Sequence, residues 1–111
     1  MDQVYEALLS QIRNLMNSPS YKERMRSKLE AALTPGFLEI IDDSARHSGH
    51  AGYNPQGETH FKIKIVSAAF AGLTRVARHR LIYETLAGEL KERVHALNIE
   101  ALTPDEKNNQ G

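Results

Sequence analysis

The chain has no cysteine, so it can form no disulfide and offers no thiolate to a metal. A charge excess is missing too: 14 Lys and Arg balance 14 Asp and Glu, for a formal net charge of zero. Dedicated nucleic-acid binders normally carry a basic surplus, and this balance argues against one. No apolar run approaches the roughly 20 residues a bilayer-spanning helix needs, so no membrane segment is expected. The opening Met1-Asp2-Gln3-Val4-Tyr5-Glu6 carries acid and no base, unlike a secretory signal or a mitochondrial presequence, and cytoplasmic residence is the expectation. Also absent are a Cys nucleophile, a G-x-S-x-G elbow and a phosphate-binding G-x-x-x-x-G-K-[ST] run. An enzyme is therefore not expected.

Histidine is what the chain does have. It holds five in 111 residues, and two of them form His47-Ser48-Gly49-His50 inside a loop-like stretch. Neutral imidazole ligates Fe, Zn, Cu and Ni, so this pair is a candidate metal-binding element. The spacing is not specific, and a solvated loop that happens to contain histidine explains it as well. A closed zinc site needs four protein ligands, and this segment supplies only part of one. His95 begins the last apolar alternation, where a strand end and a long loop can converge on one rim. His79 falls on an apolar stripe and reads as a core histidine, and His60 on a lysine-bearing strand face reads as solvated. Arg75, Arg78 and Arg80 crowd the start of a helix, where cations oppose the helix dipole. That cluster, with Lys62 and Lys64, is a candidate surface for an anionic partner or nucleic acid, though a solvated face would look the same.

Periodicity orders the chain. Val4, Leu8, Ile12 and Leu15 mark an amphipathic helix over 2–17, broken by Ser18-Pro19-Ser20. Ser20 with Glu23 is a capping-box signature for a second helix to about Leu33, with a stripe of Tyr21, Met25, Leu29 and Ala32. Thr34-Pro35-Gly36 stops it, with the glycine suited to the left-handed turn. Residues 37–41 read as a strand and 42–57 as a long loop. In 59–67, Phe61, Ile63 and Ile65 alternate with His60, Lys62 and Lys64, as in a half-buried strand. Ser67 to Gly72 reads as a short turn, one helical turn long, closed by Gly72, and Thr74 then caps a long helix to about Arg93 with Val76, His79, Tyr83, Leu86 and Leu90 in line and Ile82 flanking. Residues 95–102 alternate as a third strand, and 104–111 read as a flexible, frayed tail. The division is an N-terminal helical extension at 1–19, a domain at 20–103 and that tail. The order of the domain, α-β-β-α-α-β, is an α+β fold with a three-stranded sheet and helices packed on one face.

The stretch Gly57-Glu58-Thr59-His60-Phe61-Lys62-Ile63-Lys64-Ile65-Val66-Ser67, then Phe70-Ala71-Gly72, Arg78-His79-Arg80-Leu81-Ile82-Tyr83, Leu86-Ala87-Gly88-Glu89-Leu90 and Val94-His95-Ala96-Leu97, closely resembles the BolA family over about residues 21–105. The resemblance implies a KH-like fold of the same element order. It implies as partner a monothiol glutaredoxin, with which a bridging 2Fe–2S cluster is shared in iron–sulfur trafficking or iron regulation. The glutaredoxin cysteine and glutathione would then supply the sulfur. His95 maps to the family's histidine at the start of the last strand, and His47 or His50 to the ligand from the loop between the first two strands. The isolated chain is expected to be a monomer without the cluster. The other reading is a transcriptional regulator that binds DNA through the KH-like fold and its basic helix face. Against it, the turn Phe70-Ala71-Gly72-Leu73-Thr74 has one glycine where RNA-binding KH domains have a GXXG loop.

Overall fold

A computed structural model describes residues 3–16, 19–44 and 57–110. The elements are α1 (Gln3–Met16), α2 (Tyr21–Leu33), β1 (Phe37–Asp42), β2 (His60–Val66), a 3₁₀ turn (Ala68–Phe70), α3 (Arg75–Thr85), α4 (Ala87–Glu92), β3 (Ala96–Leu102) and α5 (Pro104–Asn109). His47 and His50 lie outside the described residues.

Ser20 starts α2: its backbone is extended and its hydroxyl accepts the Glu23 amide at 3.1 Å. The buried face is Met25, Leu29 and Leu33, spaced one turn apart, whereas Ala32 is exposed. Termination differs from the expected use of Gly36. Thr34 itself takes the left-handed conformation, φ 42°, and donates its amide to the Glu30 carbonyl at 3.1 Å. Pro35 follows it and prevents any continuation.

The sheet has three strands in the order β1-β2-β3. β1 and β2 are antiparallel with Ile40 opposite Ile63, and β2 and β3 are parallel with Ile63 beside Ile99. The parallel pairing follows from the α3–α4 crossover, because two parallel strands cannot be joined by a tight hairpin. Ile40, Phe61, Ile63, Ile65 and Ala101 point inward and pack against Met25, Leu29 and Leu33 of α2 and Ile82 and Leu86 from the crossover. The other face carries Glu39, Ile41, Lys62, Lys64, Asn98 and Glu100 along a shallow open groove.

Two expectations need correction. The long helix over 74–93 is divided at Leu86, just after Thr85, whose hydroxyl donates to the Leu81 carbonyl at 2.8 Å. Such back-bonding bends helices. The inward line is Arg78, Ile82 and Leu86, so Val76 and Tyr83 are exposed and His79 is only half-buried, not a core residue. The inward line departs from the apolar stripe because a guanidinium, Arg78, occupies one core-facing position. The tail expected to fray is instead α5. Thr103 and Glu106 form a reciprocal capping box with Pro104 in the first turn, and Glu106 receives Arg78 at 2.6 Å.

Candidate functional site

His95 is pinned from both sides. Val94 before it is 1% exposed, and the His95 amide donates to the Thr59 carbonyl at 2.7 Å as β3 docks against β2. Its side chain stays exposed. The parallel register sets His60 beside Ala96, the next residue, so the rings of His60 and His95 come to 6.2 Å between centroids, tilted by 50°. His60 is thus the site residue that reading along the chain missed. Alternation placed it correctly on the lysine-bearing face, but only the identity of the neighbouring strand shows that His95 is beside it.

A polar chain holds this corner. Thr59, fully buried, has its hydroxyl 2.9 Å from His60 Nδ1, which fixes the orientation of that ring. Ser44 Oγ accepts the Thr59 amide at 2.9 Å and the His60 amide at 3.3 Å, and donates to Asp42 Oδ1 at 2.5 Å. Asp42 also accepts the Ser44 amide and, through its other oxygen, the Glu58 amide at 3.0 Å. Burial pushes the Asp42 carboxyl up, but these hydrogen bonds and the nearby Lys22 charge together hold it below its usual value.

The same contacts root the segment that carries His47 and His50. Its last residues turn back through left-handed Gly57 and Glu58, φ 79° and 63°. Arg93 donates to the Gly57 carbonyl at 3.1 and 3.0 Å, and Glu58 accepts the Lys22 amide at 3.2 Å. A side chain at position 57 would be strained by that φ and would press on Asp42 Oδ2 at 3.1 Å. Ser44 and Gly57, which flank segment 45–56, are therefore held to the His60 amide and to Arg93, two residues before His95.

The cations do not form one patch. Arg78 is 7% exposed and committed to the interior: it donates to the Leu73 and Ala101 carbonyls at 2.9 and 3.0 Å and grips Glu106 with two nitrogens. It is removed from the candidate binding surface. Arg75 and Arg80 are exposed on α3, and Arg75 lines a cleft with His79, Ile99 and Gln110. Lys62 and Lys64 stand on the outer sheet face, where Lys64 is 3.6 Å from Glu100. Elsewhere, fully buried Glu89 joins α4 to α2 through Arg24 and Lys28, each at 2.9 Å.

Among the described residues no group of three or more His, Cys, Asp or Glu is placed to hold a metal ion. His60 and His95 alone make no metal site, and any ligation through them would need further donors from outside the described residues or from another molecule. No described helix is long and apolar enough to cross a membrane.

Comparison with known proteins bears on the family and the fold. Residues 29–106 match the family model described as BolA-like protein. The chain is 52% identical over 87 residues to SufE-like protein 1, chloroplastic/mitochondrial, of Arabidopsis thaliana, covering 75% of this chain and 24% of that protein. It is 48% identical over 82 residues to the DNA-binding transcriptional regulator BolA of Escherichia coli, covering 74% of each. Among solved structures, the BolA domain of SufE1 from Arabidopsis thaliana superposes with a TM-score of 0.72 at 51% identity, covering 79% of this chain and 96% of that one. The α+β order, the three-stranded sheet and the family match agree: this chain belongs to the BolA family.

Proposed function

We propose that this protein pairs with a monothiol glutaredoxin and shares a bridging 2Fe–2S cluster with it, as a carrier or regulatory partner in iron–sulfur trafficking or iron regulation and not as an enzyme. The observation that carries this reading is His95: an exposed imidazole on a pinned backbone, 6.2 Å from a second ring and beside the root of the segment holding His47 and His50. The donor set fits a shared cluster better than a resident metal. It has imidazoles but no thiolate, and among the described residues it is incomplete. His95 would be the fixed ligand, His47 or His50 the ligand from the loop, and a partner cysteine with glutathione the sulfur donors. Imidazole in place of thiolate leaves such a cluster less negative and raises its reduction potential.

Anaerobic reconstitution with a monothiol glutaredoxin and glutathione tests this reading. Wild-type chain is expected to change the visible circular dichroism of the glutaredoxin-bound cluster, and His95→Ala to abolish that change. A wild-type spectrum from His95→Ala would sink the assignment.

DNA binding is the second reading, favoured by the name of the Escherichia coli relative and by exposed Arg75 and Arg80. Zero net charge and the internal use of Arg78 weigh against it. Fluorescence anisotropy on duplex DNA separates the two. A DNA-binding role requires affinity that falls steeply with salt and is reduced by Arg75→Ala and Arg80→Ala.

A further inference from the structure

The two edges of the sheet are finished differently. On β3, Leu97, Ile99 and Ala101 turn their peptide groups away from β2, and α3 covers two of those carbonyls: Tyr83 Oη reaches Leu97 O at 3.4 Å and Arg78 reaches Ala101 O at 3.0 Å. On β1, the Asp43 amide donates to the His60 carbonyl at 2.7 Å, which fixes the phase of the β1–β2 ladder. In that phase residues 39 and 41 bond to β2, while Leu38, Ile40 and Asp42 turn their backbone N–H and C=O groups outward. Among the described residues nothing meets the outward groups of Leu38 and Ile40. β1 has no proline, no lysine and no bulge, its charged residues being Glu39 and Asp42, and its outer face exposes Phe37 at 43% and Ile41 at 45%.

We propose that β1 is a self-association edge, on which a second copy of this chain adds its own β1 antiparallel to extend the sheet across a two-fold axis. The register follows from the outward groups. Leu38, Ile40 and Asp42 are used together only when Ile40 faces Ile40 of the second copy and Leu38 faces its Asp42. A strand of alternating outward groups is complementary to itself in this register, as a two-fold contact requires. It also sets Ile41 directly opposite Glu39 of the second copy. Lys62, Ile41's neighbour on β2, has no ion-pair partner among the described residues and so flanks that carboxylate. Across the joint the charges run Glu100, Lys64, Glu39, then Ile41 and Lys62 of the second copy, with no like charges adjacent. The sequence alone suggests a monomer, because nothing in it distinguishes a covered edge from a bare one.

Sedimentation velocity over a concentration series tests the proposal on the full chain. The wild type is expected to move from monomer to dimer as concentration rises. Ile41→Glu is expected to abolish the dimer: Glu at 41 would face Glu39 of the second copy, while within its own chain it lies beside Lys62 and leaves the fold intact. Adding Glu39→Lys should restore the dimer by reversing that contact. Amide exchange at Leu38 and Ile40 in the wild type, slowed as concentration rises, reports the same contact without any substitution. A wild type that stays monomeric to millimolar concentration overturns the proposal. So does a dimer that is unchanged in Ile41→Glu, or one that forms without protecting those two amides.

Discussion

Ser44 shows how much one small side chain organises. Its hydroxyl is the junction of the Asp42–Ser44–Thr59 chain, and its residue is 3% exposed. Ser44→Ala leaves the buried Thr59 amide without an acceptor and is expected to cost about 1–3 kcal/mol, measured by urea unfolding. The histidines divide by role. His95→Ala should remove the cluster signature without lowering stability, since that ring is exposed and its backbone contacts remain. His60→Ala should weaken the signature less, and Thr59→Val should reproduce part of that loss by releasing the ring; cluster transfer rates from the heterocomplex would rank the three variants. Asp42 adds a pH dependence. Its folded carboxyl titrates below the ordinary 3.8. Its contribution is therefore complete above that value and lost as pH falls through the depressed one, so the stability advantage of the wild type over Asp42→Asn, measured by urea unfolding, should shrink across that range.

The elements show which parts of the sequence speak locally. α2 was legible at its start, where Ser20 and Glu23 are three residues apart, and β2 was legible throughout, because Phe61, Ile63 and Ile65 alternate with polar residues. Neither reading needs to know what the element touches. The inner face of α3 could not be read this way, since Arg78 becomes a core residue only through carbonyls of Leu73 and Ala101 and a carboxylate 28 positions away. α5 was missed for the same reason: Thr103, Pro104 and Glu106 spell a helix start, but a polar segment of six residues holds only because Arg78 anchors it. That anchor is testable. The hydrogen bonds from Arg78 hold the Glu106 carboxyl down to about 2, from an ordinary 4.5. The stabilisation is complete above 4.5 and disappears as pH falls toward 2. Carbon-detected titration of the Glu106 carboxyl checks the value, and Arg78→Met should raise it, while the Thr103 amide, which also donates to Glu106, still holds it below the ordinary value. That substitution also strips two carbonyls of their donor, for a loss of about 1–3 kcal/mol in thermal unfolding.

For the whole molecule, the candidate site lies at a corner where three separate stretches meet: the end of β1, the start of β2 and the entry to β3. The position of His95 at the start of the last strand was legible from residue type and position. The nearness of His60 to it was not, because the parallel partner of β3 cannot be read from local periodicity. The corner is rigid at its root, through Arg93, Glu58 and Asp42, and supplies imidazole but no thiol. This combination suits a chain that completes another protein's cluster. Fe–N coupling tests that claim most directly. The chain would be labelled with ¹⁵N only at histidine, assembled with unlabelled glutaredoxin and glutathione, reduced, and examined by pulsed electron paramagnetic resonance. Strong ¹⁵N hyperfine coupling in the wild type, lost in His95→Ala, is the expected result. A reduced cluster with no ¹⁵N coupling from this chain, or with coupling unchanged in His95→Ala, would contradict cluster sharing through His95.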